Sequence, residues 1–189
     1  MGIQELIGNF NLFRTARIRT LQTTFFELEC FQAEVEAPRA FRIHYRNKYE
    51  FQLKAGEIKS IALETNHPLL LQYHEPIRPL QLVSKVTDKA CFLNQLELAA
   101  NEIFHGWRRA VDYCFMPPEN FIEKSFGRLM EAPESYVIAV TDRAKECDVK
   151  LLFSLGGKPV APSANALIMD KMYVIADDFF QEELVYAPR

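Results

Sequence analysis

Four histidines, four cysteines and one small-residue loop hold the spacings in this 189-residue chain that bear on chemistry. Glu102 and His105 stand three apart, the i, i+3 ligand unit of carboxylate di-iron bundles. That chemistry needs a second such pair and two further carboxylates pointing into one bundle core. The other Glu-x-x-His, Glu64 to His67, runs into Pro68 and reads as loop. A solvated helix face is therefore the better reading, and no metal or other cofactor is expected. His67 and His74 flank an apolar run and, with Glu64 or Glu75, would form an acid–base pair if a cleft brought them together. Surface histidines at strand ends are the plainer alternative. No Gly-x-Ser-x-Gly elbow is present. Cys30, Cys91, Cys114 and Cys147 lie far apart without Cys-x-x-Cys or Cys/His spacing. Reduced thiols are expected, with neither zinc nor a disulfide framework.

Residues 156–167, GGKPVAPSANAL, are small and turn-rich. Backbone amides there, with Ser163 and Asn165, suit the approach of an anion, and Lys158 adds a charge. The stretch is not a Walker loop, since no glycine precedes a Lys-Ser/Thr pair. With the strand and helix expected before it, it resembles the end of the catalytic domain in threonylcarbamoyl-AMP synthases, where a Pro-x-x-x-Ser-Ala-Asn run lies beside the nucleotide. The resemblance implies ligand contacts at Ser163 and Asn165. It departs from that family in lacking an early Lys-x-Arg and a glycine after Asn165. A connection whose prolines and glycines serve turn geometry is the preferred reading.

The third pattern is basic and aromatic. Arg14, Arg17 and Arg19 precede Arg39, Arg42, Arg46 and Lys48, with His44 among them. Phosphate contacts beside stacking rings are how nucleic-acid surfaces are built. Glu27, Glu29, Glu34, Glu36 and Glu50 are equally placed to neutralise that face, so the wet side of an antiparallel sheet is the better reading.

The elements that must position these groups follow from periodicity. Apolar residues at Phe92, Leu96, Ala99, Ala100, Ile103, Trp107, Val111 and Cys114 trace one helical stripe, predicting a helix over about 88–114 with Asp88 as its N-cap. A short helix is expected in 3–13, ending at Gly8-Asn9. Residues 18–35 alternate as strand, with a phase slip at Phe31. Phe41 to Leu53 reads as a hairpin turning at Arg46-Asn47-Lys48. Residues 57–66 fit helix or strand, while 69–74 and 80–86 read as strands around Pro76 and Pro79. Further expectations are a helix over 119–131, a strand at Tyr136–Val140, a helix from Thr141 to Gly156-Gly157, and an extended pair turning at Asp170-Lys171. The alternative for 149–155 is a strand. A last short helix is expected from Asp177 to Leu184.

The fold class is thus α+β: a largely antiparallel sheet from the N-terminal half on a long central helix, then a C-terminal strand-helix-strand-hairpin. One domain over 1–189 is the expectation, with 115–134 as the place for any subdivision. Hydrophobic residues at 49%, with 15 Phe, suffice for a core, and a net charge of −3 argues neither for nucleic acid nor for an anionic membrane. No apolar run approaches the ~20 residues that span a bilayer, so a cytoplasmic protein is expected. The functional expectation is a binding or interaction protein, leaning away from catalysis, with a second copy or another protein as partner. Alternatives are a small enzyme holding a phosphorylated ligand at 156–167, with Lys158, Ser163, Asn165, His67 and His74 as candidate ligand-binding residues, and nucleic-acid binding through the Arg14–Lys48 face.

Overall fold

The computed structural model describes residues 3–33, 37–124, 126–154 and 157–184. In chain order the elements are α1 (Ile3–Gly8), β1 (Thr15–Leu21), β2 (Phe25–Phe31), β3 (Arg39–Gln52), β4 (Gly56–Ile58), β5 (Ala62–Glu64), α2 (Leu71–His74), β6 (Ile77–Leu82), α3 (Lys89–Phe104), α4 (Pro118–Phe121), β7 (Gly127–Pro133), α5 (Glu134–Ala144), β8 (Leu151–Phe153), β9 (Asn165–Met169) and β10 (Met172–Leu184). The class is α+β, with antiparallel sheets and one long helix. The chain forms two compact units, residues 1–67 with 163–189, and residues 68–162.

The first unit is a seven-stranded antiparallel sheet in the order β4-β1-β2-β3-β10-β9-β5. Its two outermost strands, β4 and β5, are consecutive in sequence with only residues 59–61 between them. The sheet therefore curls until its edges are one corner apart, and both edge strands are only three residues long, which limits the edge open to strand addition. Asp170 fixes that corner. Its carboxylate accepts the Lys59 and Ser60 amides, both at 3.0 Å, and the Ser60 hydroxyl at 2.7 Å. Asp170 itself has φ 55° and forms the two-residue turn between β9 and β10, where Met169 pairs with Met172. Short polar side chains tolerate that left-handed backbone. Ile18, Phe26, Leu28 and Ile43 are fully buried inside the curl, and Ile3 and Leu6 of α1 join the same core. Those four strand side chains contribute about 6–12 kcal/mol gross at 1.5–3 kcal/mol each.

The second unit interrupts the first between β5 and β9, which pair with each other at Ala62↔Ile168 and Glu64↔Ala166. It holds a three-stranded antiparallel sheet, β7-β6-β8. Phe92, Leu96, Ala99 and Phe104 of α3 share a core with Tyr136, Val137 and Val140 of α5 and Leu80, Leu82, Leu129 and Met130 of the strands. Inside it the Tyr136 hydroxyl donates to the Leu96 carbonyl (3.2 Å), and Phe104 meets the rings of Tyr136 and Tyr113, each at 5.1 Å. A disulfide joins Cys91, in the first turn of α3, to Cys147 beyond α5, with Cα atoms 6.0 Å apart. The expectation of four reduced thiols is thereby corrected. Sequence spacing is blind to this bridge because 56 residues separate its ends and only the packing of α3 on α5 brings them together.

Several element expectations are also revised. Helix α3 begins as expected, with the Asp88 carboxylate accepting the Cys91 amide (2.9 Å), but it ends at Phe104 rather than near 114. His105 (φ 52°) and Gly106 (φ 81°) turn left-handed there, a C-terminal signal that the continuing apolar stripe concealed. No hairpin forms at Arg46–Lys48. Strand β3 runs straight through and pairs with β10, and the positive φ of Asn47 accompanies a bulge at that point. Residues 177–184 consequently belong to β10, not to a helix. The region 18–35 is the β1–β2 hairpin turning at 22–24, with its irregularity between Ile18 and Thr20; Glu34 to Glu36 lie outside the described residues. Residues 57–66 resolve as strands β4 and β5, whereas 69–74 is helical rather than strand.

Tyr136–Val140 lies in α5, not a strand. Pro133 stands before the first turn, and Tyr136, Val137, Val140 and Ala144 make its buried stripe. The following helix is only one 3-10 turn, and 151–153 is the strand β8, the alternative weighed for that stretch. The expected helix over 119–131 stops early and gives way to β7 at Gly127 (φ 127°).

Candidate functional site

The most distinctive surface lies on the outside of the first unit. β2, β3 and β10 are neighbours, and their register sets Phe25, His44 and Phe180 in one row and Glu27, Arg42 and Glu182 in the next. His44 and Phe180 stack at 5.0 Å with planes 7° apart, and Phe25 lies 5.7 Å from His44. Phe180 keeps 46% of its surface exposed. The Arg42 guanidinium sits 4.6 Å over the Phe25 ring, donates to Glu27 Oε1 (2.8 Å) and lies 3.8 Å from Glu182. That hydrogen bond holds the Glu27 carboxyl below its ordinary 4.5.

Three further arginines of the basic segment are matched in the same way. Arg19 donates to Glu29 (2.6 Å), Arg46 lies 3.6 Å from Asp178, and Arg39 grips Glu183 through Nε and Nη2 (2.7 and 3.0 Å). The Glu183 carboxyl is lowered by Arg39, whose own pKa rises in return. His44 Nε2 lies 3.5 Å from Glu182, and Lys48 sits 4.2 Å over the Phe51 ring. Among the described residues, Arg14 and Arg17 have no carboxylate partner. The face is a checkerboard of both signs around a row of rings.

Ser163 and Asn165 converge on Asp177, in the first unit. The Asp177 carboxylate accepts the Tyr49 hydroxyl (2.6 Å), the Asn47 amide (2.7 Å) and the Ser163 hydroxyl (3.1 Å). Asn165 Nδ2 donates to the Asp177 and Ser163 carbonyls (2.7 and 3.0 Å). These bonds, from Tyr49 first and then Asn47, lower the Asp177 carboxyl, and Tyr49 is raised by its contact with Asp177. The cluster fastens the β3 bulge to β10 and uses the hydrogen-bonding capacity that a ligand would need.

Gly157 and Lys158 belong to the second unit; Leu155 and Gly156 lie outside the described residues. Gly157 (φ 112°) packs where a Cβ would come within 3.6 Å of Arg78 Nη1. Arg78 is buried, its side chain 6% exposed, and its Nη2 donates to both Glu134 oxygens at 3.0 Å. Among the described residues its Nε and Nη1, and the Ser135 hydroxyl, have no hydrogen-bond partner. The carboxylates already present leave little reason for another anion here: Glu134 takes the guanidinium, and Glu75 accepts the Ser135 amide (2.8 Å). Lys158 is exposed.

His67 closes the first unit's N-terminal segment, whereas His74 ends α2 in the second. Glu102 is engaged by Arg143 Nη2 (2.7 Å), and His105 caps α3. Burial pushes the Cys30 and Cys114 thiols up to about 12, which removes them as nucleophiles at neutral pH. Among the described residues no three His, Cys, Asp or Glu side chains are grouped to hold a metal. No described helix is long and apolar enough to cross a membrane.

Sequence reasoning found the basic residues but missed Phe25 and Phe180 as their partners. The signal for Phe25 was its alternation with Phe26. Phe180 was hidden by reading 177–184 as a helix. With this geometry in hand, comparison with protein-family models, with curated proteins and with solved structures yields no match.

Proposed function

We propose that this chain is a non-catalytic binding protein that associates with a second copy of itself through the outer face of β2, β3 and β10. One observation carries the reading: the in-register row Phe25–His44–Phe180, exposed at its Phe180 end and bordered by charges already paired within the same sheet. Aromatic residues and arginine around a polar rim are the composition that marks protein interfaces. Two-fold association brings the same patch from both copies together. Because Arg42 and Arg46 already have their carboxylates, that approach strands no unpaired charge, and the rings supply the apolar area.

Sedimentation equilibrium tests this. The wild-type chain is expected to dimerise with rising concentration, and Phe180→Glu to remain monomeric while keeping its far-ultraviolet circular dichroism. A wild-type chain that stays monomeric at high micromolar concentration ends the reading, as does a Phe180→Glu variant that dimerises as well as the parent. The Cys91–Cys147 bridge further favours an oxidising compartment over the cytoplasm as the working place. Intact mass under native, non-reducing conditions checks whether the pair is joined in protein taken from its source.

A further inference from the structure

Strands β1 and β4 are paired only over Ala16–Ile18 and Gly56–Ile58. Beyond Ala16 they part, leaving a hollow of about 240 Å³ walled by Phe10, Phe13, Arg14, Glu57, Ile58 and Lys59. We propose that this hollow binds a small anion with a flat apolar body, an aromatic carboxylate or an aromatic phosphate ester, with its ring against Phe10 and Phe13 and its charge between Arg14 and Lys59. The inference is independent of self-association, since it uses neither Phe25, His44 nor Phe180.

The walls supply both halves of such a ligand's chemistry. Phe10 and Phe13 meet edge to face at 6.2 Å; Phe10 is a core residue and Phe13 also meets Phe41 at 6.2 Å, so the half-buried Phe13 is the main ring the hollow offers to a ligand. The cations are distinguished by what they lack. Arg19, Arg39, Arg42 and Arg46 each have a carboxylate, whereas Arg14 and Lys59, among the described residues, have none. The one acid on the wall, Glu57, stands opposite Arg17 in the strand register, two residues before Lys59. Two cations without an ion pair among the described residues, Arg14 and Lys59, thus border one hollow beside two phenylalanines.

Both cations are carried on backbone that is already fixed. The Arg14 amide donates to the Phe31 carbonyl (2.7 Å), and the Lys59 amide to Asp170 (3.0 Å). Preorganised groups lose less freedom on binding. The volume sits just under the roughly 300 Å³ at which small-molecule pockets usually begin, which fits a single ring with one acid group.

Isothermal titration calorimetry with phenyl phosphate and with benzoate provides the test, using benzyl alcohol and inorganic phosphate as the two half-ligands. Saturable binding of at least one aromatic acid is expected at millimolar concentration or below, and which of the two is tighter tells phosphate from carboxylate recognition. Each half-ligand should bind roughly tenfold more weakly or worse, and Arg14→Ala/Lys59→Ala should lose a similar factor with its circular dichroism unchanged. Phe180→Glu should bind as the wild type does. No saturable heat with either acid, equal affinity for benzyl alcohol, or undiminished binding by the double variant overturns the proposal.

Discussion

In the seven-stranded unit the arginines lie outside, Arg19, Arg39, Arg42 and Arg46 each meeting a carboxylate across a strand boundary, and the core beneath them is apolar. In the second unit one arginine, Arg78, lies inside, its Nη2 on Glu134 and, among the described residues, its Nε and Nη1 without hydrogen-bond partners. The two arrangements carry opposite energetics. Exposed pairs such as Arg46–Asp178 gain little, because water solvates both ions nearly as well when they are apart. A buried pair has lost that alternative, so removing one member leaves a charge that nothing compensates. The covalent reinforcement also differs. The first unit is held by strand pairing between residues about 130 apart, β3 with β10, and by the Asp170 corner. The second adds a disulfide between its two longer helical segments.

Four measurements sharpen or break that contrast, taken from the largest effect to the smallest. Trp107, the chain's one tryptophan, lies in the second unit and reports on it by fluorescence. Cys91→Ser/Cys147→Ser, or reductant, should remove about 4 kcal/mol from the Trp107 transition in urea, by the loop-entropy relation for a 56-residue separation. An unmoved transition would mean the bridge adds nothing there. Glu134→Ala should cost about 3 kcal/mol by the same readout, since Arg78 keeps no acceptor. A cost below about 1 kcal/mol would place Arg78 among the solvated pairs instead.

Asp170→Ala should cost the first unit about 1–2 kcal/mol through the loss of its corner bonds, seen in the far-ultraviolet transition. Glu27→Gln should cost only about 0.5 kcal/mol, because Arg42 retains water and Glu182. The pH dependence follows the same pairs. Glu27 and Glu183 have folded values below the ordinary 4.5, so their contribution is complete above that value and fades as the pH falls through the lowered folded values. Acid titration should therefore show a small loss beginning below about pH 4.5, and the loss should shrink in Glu27→Gln.

How far the sequence could be read depends on the reach of the interaction in question. The Asp88 cap, the buried stripe Phe92–Leu96–Ala99–Ala100 and the Asp170-Lys171 turn are set by residues within a few positions of one another, and periodicity exposes them. Asn47 and His105 defeat the same reasoning, because a left-handed residue can serve a turn, a bulge or a helix end. Which of these it serves is decided by the segment of the same chain packed alongside. Ser163 and Asn165 are legible as polar groups in a tight loop, but not as donors to Asp177, because residues 177–184 read as a helix until β3 is seen to pair with them.

By itself the sequence determined the class, α+β with one long amphipathic helix, because hydrophobic patterning is local and amphipathic segments must bury one side. Only the tertiary structure decided that β3 finds β10 rather than folding back on itself. It also decided that Cys91 meets Cys147 and that Phe25, His44 and Phe180 form one row. Each of those pairings joins distant stretches of chain, and many registers satisfy the same alternation of apolar and polar residues until a single core selects one.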